Sequence, residues 1–172
     1  MKVLPIVVLG ASYVKKASGV KVLDYGAGRG RNSVYLAKQG YEVLAVDKNE
    51  EFLKSIPKCE NLKTKCVDVT KWEISGIFDY VVVTNILHFF ESEIACRCLQ
   101  RIIDATAPDG IIAFTYILDD EKKVPDNLAR ILRENYREIE SETKIVHDKG
   151  HLGMSQPHEH RIFYFLGQKV RR

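Results

Sequence analysis

Two stretches of this sequence carry residue types at spacings that could do chemistry, and one isolated histidine joins them. The first stretch is Asp24-x-Gly26-x-Gly28-x-Gly30, followed by Arg31-Asn32-Ser33, with Asp47 further on. Glycines at alternate positions permit positive φ and let a ligand press against bare backbone. Arg31, Asn32 and Ser33 open a helix whose unpaired N–H groups and positive dipole end would face that ligand. A carboxylate at the end of the next strand is placed to accept hydrogen bonds from ribose hydroxyls, which is the chemistry expected of Asp47. The isolated residue is His88, at the end of an apolar run, where an imidazole could take a proton from a hydroxyl or amine nucleophile. The second stretch lies near the carboxyl end and holds His147, His151, His158 and His160, four of the five histidines.

The elements that must position these groups can be read around them. Val22-Leu23 leads into Asp24 as a short buried strand. The helix predicted over Arg31–Gln39 stops at Gly40, and Val43–Val46 forms a second strand ending on Asp47. Strand, tight turn, helix and strand make the first half of a nucleotide-binding βαβ unit. The dinucleotide pattern G-x-G-x-x-G would need a glycine at position 31, which is Arg31.

The spacing instead resembles motif I of the class I S-adenosylmethionine (SAM) methyltransferases. The run from Gly28 to Ala37, then Gly40-Tyr41-Glu42-Val43 and Asp47-Lys48-Asn49, is similar to the tellurite-resistance type of small methyltransferase. The resemblance implies a Rossmann-like α/β fold: a seven-stranded, mostly parallel sheet with an antiparallel last strand and helices on both faces. It implies SAM as cofactor, held by Asp24, Gly26, Ala27, Gly28, Gly30, Asn32, Asp47, Lys48, Asp68, Val69 and Asn85. In this family the Asp68–Val69 position commonly holds the adenine, and the segment after the fourth strand, Thr84 to Phe90, faces the transferred methyl.

The remaining chain fits that outline. Asn49 can cap a short helix carrying Glu50 and Glu51 in its first turn, ended by Pro57. Leu62–Val69 is predicted as the third strand by alternation. Phe78–Ile86 is an apolar, β-branched run of the kind covered on both faces, and Phe89 and Phe90 after it are expected to fill core. Ser92 is the expected cap of a helix with Ile94, Cys98, Ile102 and Ala105 on one face. Ala107–Gly110 is predicted as a turn, Ile111–Leu118 as the fifth strand, and Pro125 begins a helix burying Leu128, Ile131, Leu132 and Tyr136. Ile139–Val146 and Arg161–Leu166 are the expected sixth and seventh strands.

If those two strands form the family's long hairpin, the histidines between them fall at the cofactor edge of the sheet. They could line a substrate pocket, bind a metal through His158 and His160 flanking Glu159 with His147 or His151, or belong to a polar loop. The expectation adopted is substrate contact by His147, His151, His158 and His160, with no metal. The cluster departs from the tellurite-type pattern and leaves the acceptor open.

Composition bounds the rest. With 172 residues, 45% hydrophobic and 28% charged, the chain is expected to be one globular domain over 1–172, with 1–20 a short buried lead-in. A net charge of +3 is too small to argue for nucleic acid. Lys169-Val170-Arg171-Arg172 is expected to be a solvated tail. The apolar run Val3–Leu9 is short and broken by Pro5, so neither a signal peptide nor a membrane span is expected. The four cysteines show no disulfide or zinc spacing. A cytoplasmic SAM-dependent methyltransferase with a small-molecule acceptor (thiol, chalcogen oxyanion, amine or hydroxyl) is the function expected. The alternatives are a protein or RNA methyltransferase, or a non-catalytic SAM- or adenosine-binding protein. Aminopropyl transfer would want acidic residues where Asn85-Ile86-Leu87-His88 stands.

Overall fold

The computed structural model describes residues 2–15, 17, 19–118, 123–148 and 158–171. The chain runs α1 (Pro5–Tyr13), β1 (Lys21–Tyr25), α2 (Arg31–Lys38), β2 (Glu42–Asp47), α3 (Glu50–Lys54), β3 (Leu62–Cys66) and β4 (Phe78–Thr84). A 3-10 turn (Leu87–Phe89) follows, then α4 (Ser92–Ala105), β5 (Thr106–Ile117), α5 (Asp126–Asn135), β6 (Tyr136–Asp148) and β7 (His158–Lys169). The seven strands form one sheet in the order β3-β2-β1-β4-β5-β7-β6. β1 to β5 pair in parallel, and β7 lies antiparallel between β5 and β6. Strand order reverses between β1 and β4, and in such sheets the crevice above that point is where ligands bind.

Burial explains which segments became central strands. Tyr80, Val81, Val82 and Val83 in β4 are all fully buried, because helices cover both faces of the sheet. α1, α2 and α3 contribute to the core on one face, with Ile6, Val7, Leu36, Ala37, Leu53 and Ile56. α4 and α5 cover the other, with Leu99, Ile102, Leu128 and Leu132. β3, at the edge, buries only Leu62. Among the described residues no helix is long and apolar enough to cross a membrane.

Several sequence expectations change in detail. The expected buried lead-in takes the form of a helix over Pro5–Tyr13, burying Ile6, Val7, Gly10 and Ala11. β3 stops at Cys66, leaving Asp68 and Val69 in the following turn. Ser92 is the first residue of α4 rather than its cap, and its hydroxyl pairs with the Asn127 carboxamide of α5. The Ala107–Gly110 turn is an irregular opening of β5, with Asp109 at φ 62°. Tyr136 is buried as the first residue of β6, not as part of α5. Lys169 and Arg171 are not part of a free tail. Lys169 Nζ donates to the carbonyls of Ile103 and Thr106, and Arg171 pairs with Asp109.

α1 is seated by close approaches from the sheet side, with the Tyr41 hydroxyl donating to the Ala11 carbonyl at 3.0 Å and Tyr80 packed beneath Gly10. The Tyr80 hydroxyl donates to the Val7 carbonyl at 3.0 Å, and a Cβ on Gly10 would lie 2.4 Å from that same hydroxyl oxygen. The phenol is fully buried and cannot step aside. Gly10→Ala is therefore expected to cost about 1 to 3 kcal/mol of stability through overpacking, although alanine favours the helix itself by roughly 1 kcal/mol. Urea unfolding of the two proteins measures this, and an unchanged or raised midpoint would show that α1 is not held there.

Candidate functional site

The glycine turn between β1 and α2 is tied to the end of β2. The Gly26 and Ala27 amides both donate to the Val46 carbonyl at 2.9 Å, and the Gly28 amide donates to Asp47 Oδ2 at 2.8 Å. Asp47 Oδ1 accepts from the Asn49 amide at 2.9 Å. Each carboxylate oxygen keeps a further lone pair, so the side chain is oriented without being saturated. Gly26 and Gly28 have φ of 78° and 54°, which only glycine adopts without strain. A Cβ on Gly26 would strike Ile86 at 2.8 Å, whereas a Cβ on Gly28 would meet nothing within 4 Å. Gly28 thus presents bare backbone to open space.

Next to this turn lies a cleft of about 590 Å³ lined by Gly26, Asp47, Lys48, Asp68, Val69, Thr70, Ile86, Phe89 and Phe90. It lies at the carboxyl ends of the parallel strands, and its size suits a nucleoside-sized ligand. The third side is the turn after β3. Asp68 Oδ1 accepts from both the amide and the hydroxyl of Thr70, at 3.0 and 2.7 Å, and these bonds hold its carboxyl below its usual range. Asp68 therefore stands ionised at the cleft, able to accept from an amino group.

The other residues singled out in the sequence are distributed around this frame. Gly30 caps α2 in the left-handed conformation, and Lys48 is exposed beside the cleft. Asn32 is buried beneath it, donating to Thr84 Oγ1 at 3.0 Å and accepting the Leu4 amide at 3.3 Å. Asn85 has φ 53°. Its amide donates to Thr115 Oγ1 at 3.0 Å, and its carboxamide oxygen accepts from the same hydroxyl at 2.7 Å. This clamp ends β4 and turns Ile86 back over Gly26. Thr115 is not singled out by the sequence alone, although a polar residue inside an apolar run is the available signal.

His88 sits on the 3-10 turn between two residues that line the cleft. Its ring is tilted against Phe89 at 4.0 Å and edge-on to Tyr116 at 6.0 Å. Phe90 packs partly against the core, as expected, but Phe89 is 72% exposed and so is wall rather than core.

Of the carboxyl-terminal histidines, His147, His158 and His160 reach this edge of the sheet. β6 and β7 continue pairing beyond the last β5 partner, Ile117 with Ile162, to Asp148 with His158. Register divides the cluster. His147 is directly opposite Glu159, and its Nδ1 lies 2.9 Å from Glu159 Oε1. His160 is opposite Val146, and because side chains alternate, it lies on the other face of the arm from His147. A metal site joining His147 to His160 is thereby excluded by the pleat. Among the described residues no cluster of metal-ligating side chains is present. His151 lies outside the described residues, and of His158 only the backbone is described.

Beneath the glycine turn, Asp24 is 1% exposed. Its Oδ2 accepts from Ser33 Oγ at 2.5 Å, while Oδ1 has no protein partner. Burial pushes this carboxyl up to about 6, against a smaller lowering by its bonds to Ser33. An incompletely paired acid under a helix N-terminus is unfavourable for the protein alone and suits a cationic ligand nearby.

The family model for the tellurite resistance protein TehB matches residues 7–142. A Haemophilus influenzae protein described as a "probable S-adenosyl-L-methionine-dependent methyltransferase TehB" is 39% identical over 101 residues, covering 56% of this chain and 35% of the relative. The chain thus spans about a third of the length of that curated relative. The crystal structure of TehB from Haemophilus influenzae superposes with a TM-score of 0.79 at 20% identity, covering 97% of this chain and 62% of that one. The N-methyltransferase NodS from Bradyrhizobium japonicum, solved with S-adenosylhomocysteine, gives 0.72 at 14% identity, covering 96% and 84%. At these identities the two structures share the fold with this chain.

Asp24 also makes stability depend on pH with a definite sign. Its carboxyl ionises near 3.8 when unfolded and near 6 when folded, so the folded state binds the proton more tightly. The stabilisation is fully present below about pH 4 and lost as pH rises through about 6, a difference of about 3 kcal/mol. Urea unfolding across this window should give a shallower fall for Asp24→Asn than for the wild type. Equal slopes would assign the dependence to another group.

Proposed function

This chain belongs to the TehB family, and we propose that it binds SAM in the cleft described above and transfers the methyl group to a small-molecule acceptor. The observation that carries the reading is one cleft that brings together Gly26 of the positive-φ glycine turn, a carboxylate at Asp47 oriented by the Gly28 amide, and an ionised, self-capped Asp68. In this reading Asp47 accepts from the ribose hydroxyls, and Asp68 with the Val69 amide meets the adenine edge. Asp24, Gly26, Ala27, Gly28, Gly30 and Asn32 form and support the turn that the methionine part crosses. Lys48 flanks the ribose, and Asn85 fixes the end of β4. The incompletely paired Asp24 carboxylate and the open cradle at Gly28 fit a ligand that is cationic and presses on backbone.

When bound, SAM supplies a sulfonium whose methyl is already activated for transfer. The protein's part is to orient the acceptor, exclude water and, for some acceptors, remove a proton. Ile86, Phe89 and Phe90 supply the apolar wall. A thiolate or a reduced chalcogen species needs no base. For an amine or hydroxyl, His88 is the proposed base, and His147, His151, His158 and His160 are the proposed acceptor-facing residues of the hairpin arm. The reading treats residues 1–172 as one domain and places the protein in the cytoplasm, where SAM is available.

The test is to incubate the purified protein with methyl-labelled SAM and a panel of thiols, chalcogen oxyanions, amines and hydroxyl compounds, with protein and RNA acceptors tested beside them. Formation of S-adenosylhomocysteine with one class, and a loss of SAM affinity of about 10- to 100-fold in Asp47→Ala, are the expected results. SAM binding without turnover on any acceptor would instead mark a non-catalytic binding protein. Turnover on protein or RNA alone would move the acceptor to a macromolecule.

A further inference from the structure

The turn that carries Asp68 and Val69 is held from below by a residue with no place in the scheme above. Tyr25, the last residue of β1, is fully buried. Its hydroxyl donates to the Val69 carbonyl at 2.6 Å, across 44 positions of sequence. Burial raises the phenol well above its ordinary range, so it remains a donor at any physiological pH. The second group near that carbonyl is Cys98 Sγ at 3.8 Å, a weak donor. One position further along, Arg101 Nη1 donates to the Thr70 carbonyl at 2.9 Å and its Nη2 lies 2.9 Å from Glu73. The turn closes on itself through the Lys71 and Trp72 amides, which both donate to the Asp68 carbonyl. The upper side of this short segment faces the cleft, and its lower side is fastened to β1 and α4.

We infer that Tyr25 is a positioning residue for recognition of the purine amino group: by fixing the Val69 carbonyl, its hydroxyl sets the height at which the Asp68 carboxylate and the Val69 amide meet the base. The inference rests on the proposed cofactor reading and adds to it the residue that makes the cleft selective. Tyr25 touches no ligand itself. Removing its hydroxyl leaves a buried carbonyl with only a thiol nearby, a state costly enough for the turn to shift toward other partners. A shift of the turn moves Asp68 and Val69 together and leaves Asp47 and the glycine turn in place. The expected defect is therefore confined to the adenine end of the ligand.

The experiment is calorimetric titration of the full chain with S-adenosylhomocysteine and with S-inosylhomocysteine, whose base carries a carbonyl in place of the amino group. Wild type is expected to prefer the adenine ligand, because hypoxanthine would set an oxygen against the Asp68 carboxylate. Tyr25→Phe, which keeps the ring, is expected to weaken S-adenosylhomocysteine binding about 3- to 10-fold. Affinity for the inosine ligand should stay unchanged, so the preference falls by the same factor. A folded Tyr25→Phe protein with an unaltered preference overturns the inference, as does an equal loss for both ligands. Should Tyr25→Phe not fold, Arg101→Met loosens the same turn from the partly exposed side. A reduced preference there supports the inference, and an unaltered one overturns it. Wild type that bound neither ligand would overturn the cofactor reading itself, an outcome distinct from binding with unchanged selectivity.

Discussion

The bond from the Gly28 amide to the Asp47 carboxylate is the constraint on which the site depends. With the Gly26 and Ala27 amides on the Val46 carbonyl, it fastens three consecutive residues of the glycine turn to the end of β2. The turn packs little more than the Ala27 methyl and the Arg29 guanidinium over Phe52, so these bonds do much to fix its positive-φ backbone. Once it is fixed, α2 begins where Gly30 leaves the left-handed conformation. The same bond orients Asp47, which links the part of the site that needs a bare backbone to the part that needs a charge.

Adjacent residues at the end of β1 divide the remaining work between the two faces of the sheet. Asp24 points under α2, where it meets Ser33, and Tyr25 points to the other face, where it meets Val69. Alternation along a strand makes this division unavoidable. One strand end therefore controls both the region below the glycine turn and the turn that bounds the far side of the cleft. At the top of β4 the Asn85–Thr115 clamp supplies the third boundary by bringing Ile86 over Gly26.

Much of this was legible in the sequence because the signals were local. The glycine spacing, the Asn49 cap on the Phe52 amide and the doubly buried β4 run all depend on near neighbours, and each stands as expected. What could not be read depended on register or on a distant partner. Tyr25 reads as core until Val69 is placed beneath the cleft, and Phe89 reads as core until the 3-10 turn swings it outward. The basic residues at the carboxyl end read as solvated, because Asp109 and the carbonyls of Ile103 and Thr106 are about sixty positions away. Topology puts His147, His158 and His160 on the part of the β6–β7 hairpin that runs beyond the carboxyl end of β5. Their division between two faces follows from a β6–β7 register that spacing alone does not fix, since a slip of one residue exchanges the faces.

The most direct measurement of the central claim is a crystal structure of this chain soaked with S-adenosylhomocysteine. The account predicts the ligand in the 590 Å³ cleft, with both ribose hydroxyls on Asp47, the homocysteine part crossing Gly26 to Gly28, and the purine amino group at Asp68. Ligand bound elsewhere on the molecule, or seated in the cleft with its ribose away from Asp47, would contradict it.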